Sequence, residues 1–388
     1  VNTTPSPLAQ DGAAHTVAEI TQQPRLWREV GRNIEEGRDA LDAFLRPILA
    51  RRDLRIVLTG AGTSAFAGRI ASNALARATG RRVDAVATTD IVADPDGSLD
   101  ADVPTLLVSF ARSGDSPESV AATEFAEARL TEVSHLVITC NAAGRLAREH
   151  GGRADSHVLL MPDGSNDQGF AMTSSFTCMV LAALLAFRAA DARAALPALA
   201  AAADHLTSGG ADARVGALVD GRPERLVYLG SGALKGLAEE SALKLLELTG
   251  GAVLAMAETA LGFRHGPKAV LDDRTAVVVY VSNDPYTRAY DLDILAELRA
   301  ALPAGTVVAI AGRPDGLPDS EDTWLLPGLA DAPDAALALP AVVCAQLIAL
   351  RSSLARGLRP DNPFPSGEVN RVVQGVTVHK LPRRGDRA

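Results

Sequence analysis

A strand followed by a glycine turn occurs twice in this chain, and the interval between the copies constrains the fold more than any other feature. RIVLTGAG begins at Arg55 and RLVYLGSG at Arg225, 170 residues later. PTLLVSF at Pro104 is echoed by TAVVVYVS at Thr275, and HLVITCN at His135 by TVVAIAG at Thr306. The apolar helix near Thr177 has a counterpart in AVVCAQLIALRSSLARGL near Ala341. Short apolar strands alternating with helical stretches imply parallel sheets, because parallel strands must be joined by long crossovers. A repeated unit also accounts for the 388-residue length, which is too much for one compact core.

The expected fold class is therefore α/β, with two tandem doubly wound parallel-sheet domains of the flavodoxin-like sandwich type. The domains span 46–205 and 215–388, and a short disordered or helical extension, 1–45, precedes them. Residues 1–15 read as disordered, and Thr16 to about Ala50 as helical with a break at Pro24. In the first copy, strands are expected at RIVLT, VDAVATTD, PTLLVSF, HLVITC and HVLLMP. The boundary falls in the Ala/Asp/Gly-rich stretch from Ala200 to Gly221.

A net charge of −9 argues against a nucleic-acid partner. The three cysteines, Cys140, Cys178 and Cys344, are scattered without metal-ligand spacing and read as small core residues in a reducing compartment. The N-terminus lacks the charged start and apolar core of a signal peptide. Met172 to Phe187 is apolar but carries Thr173, Ser174, Ser175 and Thr177 and is too short to span a bilayer. A cytoplasmic protein with no membrane partner is expected.

Four stretches carry candidate chemistry. The helix expected from about Leu234 to Leu248 places Glu240, Lys244 and Glu247 at i, i+4 and i+7, on one face. The same spacing describes an ordinary solvated ion pair. Ser113-Gly114-Asp115-Ser116-Pro117 ends a buried strand and opens a helix, where backbone N–H groups and hydroxyls of Ser113, Ser116 and Ser119 suit a phosphate or simply cap the helix. Gly60-Ala61-Gly62-Thr63-Ser64-Ala65 matches a dinucleotide fingerprint, with Asp90 as the ribose acid, and equally suits a compact phosphosugar. Asn166 to Phe170 reads as a polar loop with Thr173 or Ser174 capping the next helix. In the C-terminal stretch, rich in turn formers, Asn370, Arg371 and Lys380 either fold over a pocket or belong to a surface tail.

Taken together, EITQQP at Glu19, GAGTSAF at Gly60, SFARSGDSPES at Ser109, NDQGFAMTSSFT at Asn166, ESALKLLELTGG at Glu240, ETALGFRHGPK at Glu258 and NPFPSGEVNRVVQGVTVHKL at Asn362 make the chain resemble two-domain sugar isomerase (SIS) proteins. Over nearly its whole length it is most similar to the bacterial family known as tagatose-6-phosphate ketose/aldose isomerase or galactosamine-6-phosphate deaminase/isomerase. It is related to the isomerase half of glucosamine-6-phosphate synthase. The resemblance implies that Ser64, Ser113 and Ser116 bind phosphate, with Gly62, Thr63 and Arg112 beside them. It makes Glu247 the carboxylate that shuttles a proton between carbons 1 and 2, with Lys244 and Glu240 as its catalytic neighbours. His265 becomes the ring-opening histidine, contributed by a partner subunit, which implies a homodimer with sites completed across subunits.

The pattern is departed from in places. Ala111 occupies a phosphate-serine position, for which Arg112 or Ser109 compensates, and Gln374 stands where a tail lysine is expected. The expected reaction converts a 2-amino-2-deoxyhexose 6-phosphate to ketohexose 6-phosphate and ammonia, without cofactor or metal. Rival readings are a plain aldose–ketose isomerase, a fructosamine 6-phosphate deglycase and a phosphosugar-sensing regulator.

Overall fold

The structure is a computed structural model, and it describes residues 12–373 and 375–381. Two five-stranded parallel sheets form its frame. The first contains β1 (Arg55–Thr59), β2 (Arg82–Ala85), β3 (Thr105–Ala111), β4 (Val133–Thr139) and β5 (Ser156–Leu160), in the order β2-β1-β3-β4-β5. The second contains β6 (Arg225–Leu229), β7 (Leu254–Glu258), β8 (Thr275–Val281), β9 (Val307–Ala311) and β10 (Thr323–Leu325), in the order β10-β9-β8-β6-β7. Read from its opposite edge, the second order repeats the first. β1, β3, β6 and β8 are apolar because helices cover both faces of a doubly wound sheet.

The glycine turns are nearly superposable. Gly62 has φ 55°, ψ −124° and Gly232 has φ 58°, ψ −125°, values open to glycine alone. They launch the helices Thr63–Thr79 and Ala233–Leu248, which pack against each other across the two lobes. Gly236 permits this crossing: a Cβ there would lie 2.9 Å from the Ile70 backbone nitrogen and 3.0 Å from Arg69 Cβ. The apolar helices Ser174–Ala186 and Asp334–Leu354 fill the space beside them as buried core. The latter is long and apolar enough to cross a membrane by composition, but 94% of its apolar window is buried inside the protein.

Several expectations are corrected. Residues 1–11 and Gln374 lie outside the described residues, but Ala14 and His15, expected to be disordered, begin the helix Ala14–Thr21. Asp361 holds that helix by accepting from the His15 and Thr16 N–H groups at 3.1 and 2.8 Å. The break expected at Pro24 falls at Gln22, and Pro24 lies in the first turn of the next helix, Gln23–Glu36, where its missing N–H costs nothing; a second break follows at Gly37. VDAVATTD is strand only to Ala85, and Thr88–Ala93 turns helical. The stretch from Ala200 to Gly221, where the boundary is expected, comprises the end of the helix Ala192–His205, the turn at Leu206–Gly210 and the helix Asp212–Asp220, and this leaves that expectation as it stands.

Candidate functional site

The carboxyl ends of β1 and β3 open into a cavity of about 240 Å³ lying between the lobes. Gly62, Thr63 and Ser64 line it from the first glycine turn, and Arg112, Ser113, Ser116, Glu118 and Ser119 from the turn after β3. Glu247 reaches it from the second lobe, and Asn370 and Arg371 cover it. Ligand clefts at this edge are the rule in open parallel sheets.

The turn after β3 is braced from behind. Asn141 Nδ2 donates to the Ser113 carbonyl at 2.8 Å, and Asp115 accepts from the Arg145 N–H at 2.8 Å. Gly144 has no room for a side chain, since a Cβ would sit 2.3 Å from the Ser113 carbonyl oxygen. Ser116, at the N-cap of Pro117–Arg129, makes no capping bond and instead lies 3.3 Å from the Ser119 hydroxyl. Pro117 has no N–H and the Ser119 N–H goes to the Ser116 carbonyl at 3.0 Å, so the Glu118 N–H is the first-turn donor left for another acceptor.

Arg112 is the cation of this wall. Its Nη2 donates to the Arg371 carbonyl at 2.7 Å, while its buried Nη1 has no hydrogen-bond partner among the described residues. Burial and the neighbouring Arg371 guanidinium push its pKa down. An anion in the cavity would offset both penalties. Ser109, the other candidate to stand in for Ala111, points into the interior from β3 and does not line the cavity.

Behind Glu247 lies a buried row of charge. Lys244 is fully buried, donates to Thr63 Oγ1 at 3.0 Å, bonds the Glu247 carboxylate, and lies 3.5 Å from Glu240 Oε1. Glu240 is equally buried, and neither of its oxygens accepts a well-formed hydrogen bond among the described residues. Burial pushes its pKa up to about 8, against the pull of Lys244, so it keeps its proton at neutral pH. Burial pulls the Lys244 pKa down, Glu240 pulls it up once that acid has lost its proton, and the bonded Glu247 carboxylate pulls it up throughout; the net shift is upward, so the ammonium persists. This is no solvated surface pair: a charged lysine is held between an acid that stays neutral and a carboxylate that faces the cavity.

The remaining predicted residues lie elsewhere. His265 is exposed in the loop after β7 and does not line the cavity, and neither does exposed Lys380. Asp90 is exposed on the short helix after β2 and does not line the cavity. The helix Ser174–Ala186 is not capped by Thr173 or Ser174. Asp167 caps it, accepting from the Thr173 and Ser175 N–H groups at 2.8 and 2.9 Å. The Asp167 carbonyl also accepts from Arg371 Nη1 at 2.5 Å, tying the C-terminal segment to the cavity rim. Glu118, a buried cavity-lining acid with one oxygen unpartnered among the described residues, was not anticipated from sequence.

A two-lobed α/β protein with one shared cleft, hydroxyls and a guanidinium on one wall and an acid–base row on the other, is the class that fold and site define. The chain belongs to the SIS-domain family, with SIS domains matching residues 48–189 and 222–351. It is 69% identical to a Streptomyces coelicolor protein provisionally named D-galactosamine-6-phosphate deaminase AgaS, over 96% of this chain and 97% of that one. It is 44% identical to the D-galactosamine-6-phosphate deaminase AgaS of a Shewanella species, over 96% and 93% of the respective chains. The crystal structure of tagatose-6-phosphate ketose/aldose isomerase from Escherichia coli superposes with a TM-score of 0.86 at 43% identity, covering 98% of this chain and 99% of that one.

Proposed function

We propose that the chain is an isomerase that deaminates D-galactosamine 6-phosphate, releasing a ketohexose 6-phosphate and ammonia. The observation that carries this reading is the meeting of Glu247 with the open Ser113–Ser116 turn in one cavity. The names of the relatives described above supply the sugar. Ser64, Ser113, Ser116 and Arg112 hold the phosphate, and this fixes the other end of the sugar for proton transfer. In the open-chain aldehyde, Glu247 takes the proton from carbon 2, and the electron pair moves toward the aldehyde oxygen. Lys244 stabilises that oxyanion. Glu247 then returns the proton to carbon 1 as the nitrogen lone pair forms the C=N bond, and the nitrogen gives up a proton that the carbon 1 oxygen takes, leaving a ketimine at carbon 2 that water cleaves to ketone and ammonia. Neutral Glu240 keeps the Lys244 charge committed to Glu247 and the substrate.

Ring opening is assigned to His265 from a second copy of the chain. Its exposure outside its own cavity, beside exposed Leu261, supports a homodimer in which each subunit completes the other's site. The cytoplasm, where such phosphorylated sugars are kept, is the compartment that fits.

The test supplies purified protein with D-galactosamine 6-phosphate and follows ammonia and ketose together. Equimolar release of both is expected. Conversion of galactose 6-phosphate to its ketose with no ammonia from the amino sugar would sink the deaminase reading. That outcome would favour the plain isomerase suggested by the name of the E. coli structure.

A further inference from the structure

We infer that Glu127, His135 and His150 form a binding site for a divalent transition-metal ion of the zinc class, on the edge of the first lobe remote from the cleft. His135 lies near the start of β4, whereas the cavity opens at the carboxyl ends of the strands. The three residues each present a ligand atom within 4.8 Å of the others. His135 Nε2 is 3.6 Å from Glu127 Oε1, close to the ~3.4 Å that separates two ligands on a tetrahedral ion with bonds of ~2.0–2.1 Å.

Two observations separate this cluster from a pair of core histidines. His135 is fully buried, and neither of its ring nitrogens has a hydrogen-bond partner among the described residues. Proteins seldom leave a buried polar group in that state. The second is a tautomer fixed from outside. The Ser156 hydroxyl donates to Asp155 Oδ1 at 2.9 Å, so at His150 it accepts from Nδ1–H, 3.0 Å away. This leaves the lone pair on His150 Nε2, the arrangement by which an outer partner orients a ligating imidazole.

Arg153 is the competing cation. It bonds Glu127 at 2.8 Å, but it also grips Asp155 through two bonds of 2.9 and 2.8 Å. A metal ion would displace it from Glu127 and leave it anchored on Asp155. The site would then clamp the far ends of two helices whose near ends shape the anion turn. Pro117–Arg129 starts beside Ser116 and carries Glu127 near its end. Arg145–His150 starts with the N–H bonded to Asp115 and ends on His150.

Full-length protein, stripped with chelator, should be titrated with Zn²⁺ by calorimetry and with Co²⁺ by its visible absorption. One ion per chain is expected, with intense tetrahedral Co²⁺ bands and a raised melting temperature. Glu127→Gln, which alters a half-exposed side chain, should weaken binding ~10- to 100-fold and leave metal-free melting unchanged. His150→Asn should do the same or more. Absence of saturable binding to the wild type overturns the proposal. So does equally tight binding by Glu127→Gln, which would place the ion on other histidines.

Discussion

Both lobes carry the same turn after their third strand, and they fill it differently. In the second lobe, Asp284 caps the helix Pro285–Ala301, accepting from the Tyr286 and Thr287 N–H groups at 3.1 and 3.0 Å. Asp334 accepts from the Ser282 hydroxyl and the Asn283 N–H at 2.6 and 2.8 Å. Asp291 accepts from the Ser282 N–H and the Ser231 hydroxyl at 3.0 and 2.7 Å. Three carboxylates of the chain itself thus occupy this turn. In the first lobe Ser116 holds the position of Asp284, with a similar backbone (φ −62°, ψ 132° against −67°, 122°), and supplies no cap. At the N-cap itself, the first lobe has a hydroxyl where the second has a carboxylate.

The contrast can be broken most severely on the acid side. Glu247→Gln should lower turnover by ~10²- to 10⁴-fold, the range of general acid–base catalysis, while phosphosugar binding survives in calorimetry. Near-normal turnover would remove Glu247 from the chemistry. Ser116→Asp then asks whether the first lobe's turn can be made to resemble the second's. Its carboxylate should cap the helix and repel phosphate, costing about 3 kcal/mol of phosphosugar affinity, roughly 100-fold. Unchanged KM would show that the anion binds elsewhere. The reverse change, Asp284→Ala, should cost about 1 kcal/mol of stability through the lost cap and leave kcat/KM alone.

The last test concerns pH. Folded Glu240 keeps its proton up to about 8, whereas the unfolded chain releases it near the ordinary carboxylate value of 4.5. The unfolded state therefore binds fewer protons across that window, and stability falls as pH rises through it. Glu240→Gln should flatten this decline between pH 6.5 and 8, as read by denaturant melts of both proteins. An identical slope in the variant would mean that Glu240 is ionised in the fold. The lowered pKa values of His135 and His150 act in the opposite sense below pH 6.5, outside the compared range.

The glycine turns and the long apolar strands were legible because their signals are local: a forced backbone angle and an unbroken run of buried residues. β7 and β10 were not. Leu254–Glu258 is short and half exposed, and Thr323–Leu325 is only three residues long, so neither produces a period. The i, i+4, i+7 pattern of Glu240, Lys244 and Glu247 placed them on one face but could not say that the face is buried, since that depends on the other lobe's helix. Asp167 escaped notice as a cap because it reaches forward six and eight residues, beyond the usual N-cap geometry. His135 and His150 meet through sheet and helix packing, which their separation along the chain does not reveal.

The missing side chain at Gly236 sets a gauge. With the two helix backbones in near contact there, any side chain at position 236 would push the lobes apart. Under the proposed reading, the span from anion turn to carboxylate measures the length of the carbon skeleton. A pentose or heptose phosphate anchored at the same end would present the wrong atoms to Glu247, so the joint between the lobes contributes to substrate choice without touching the substrate.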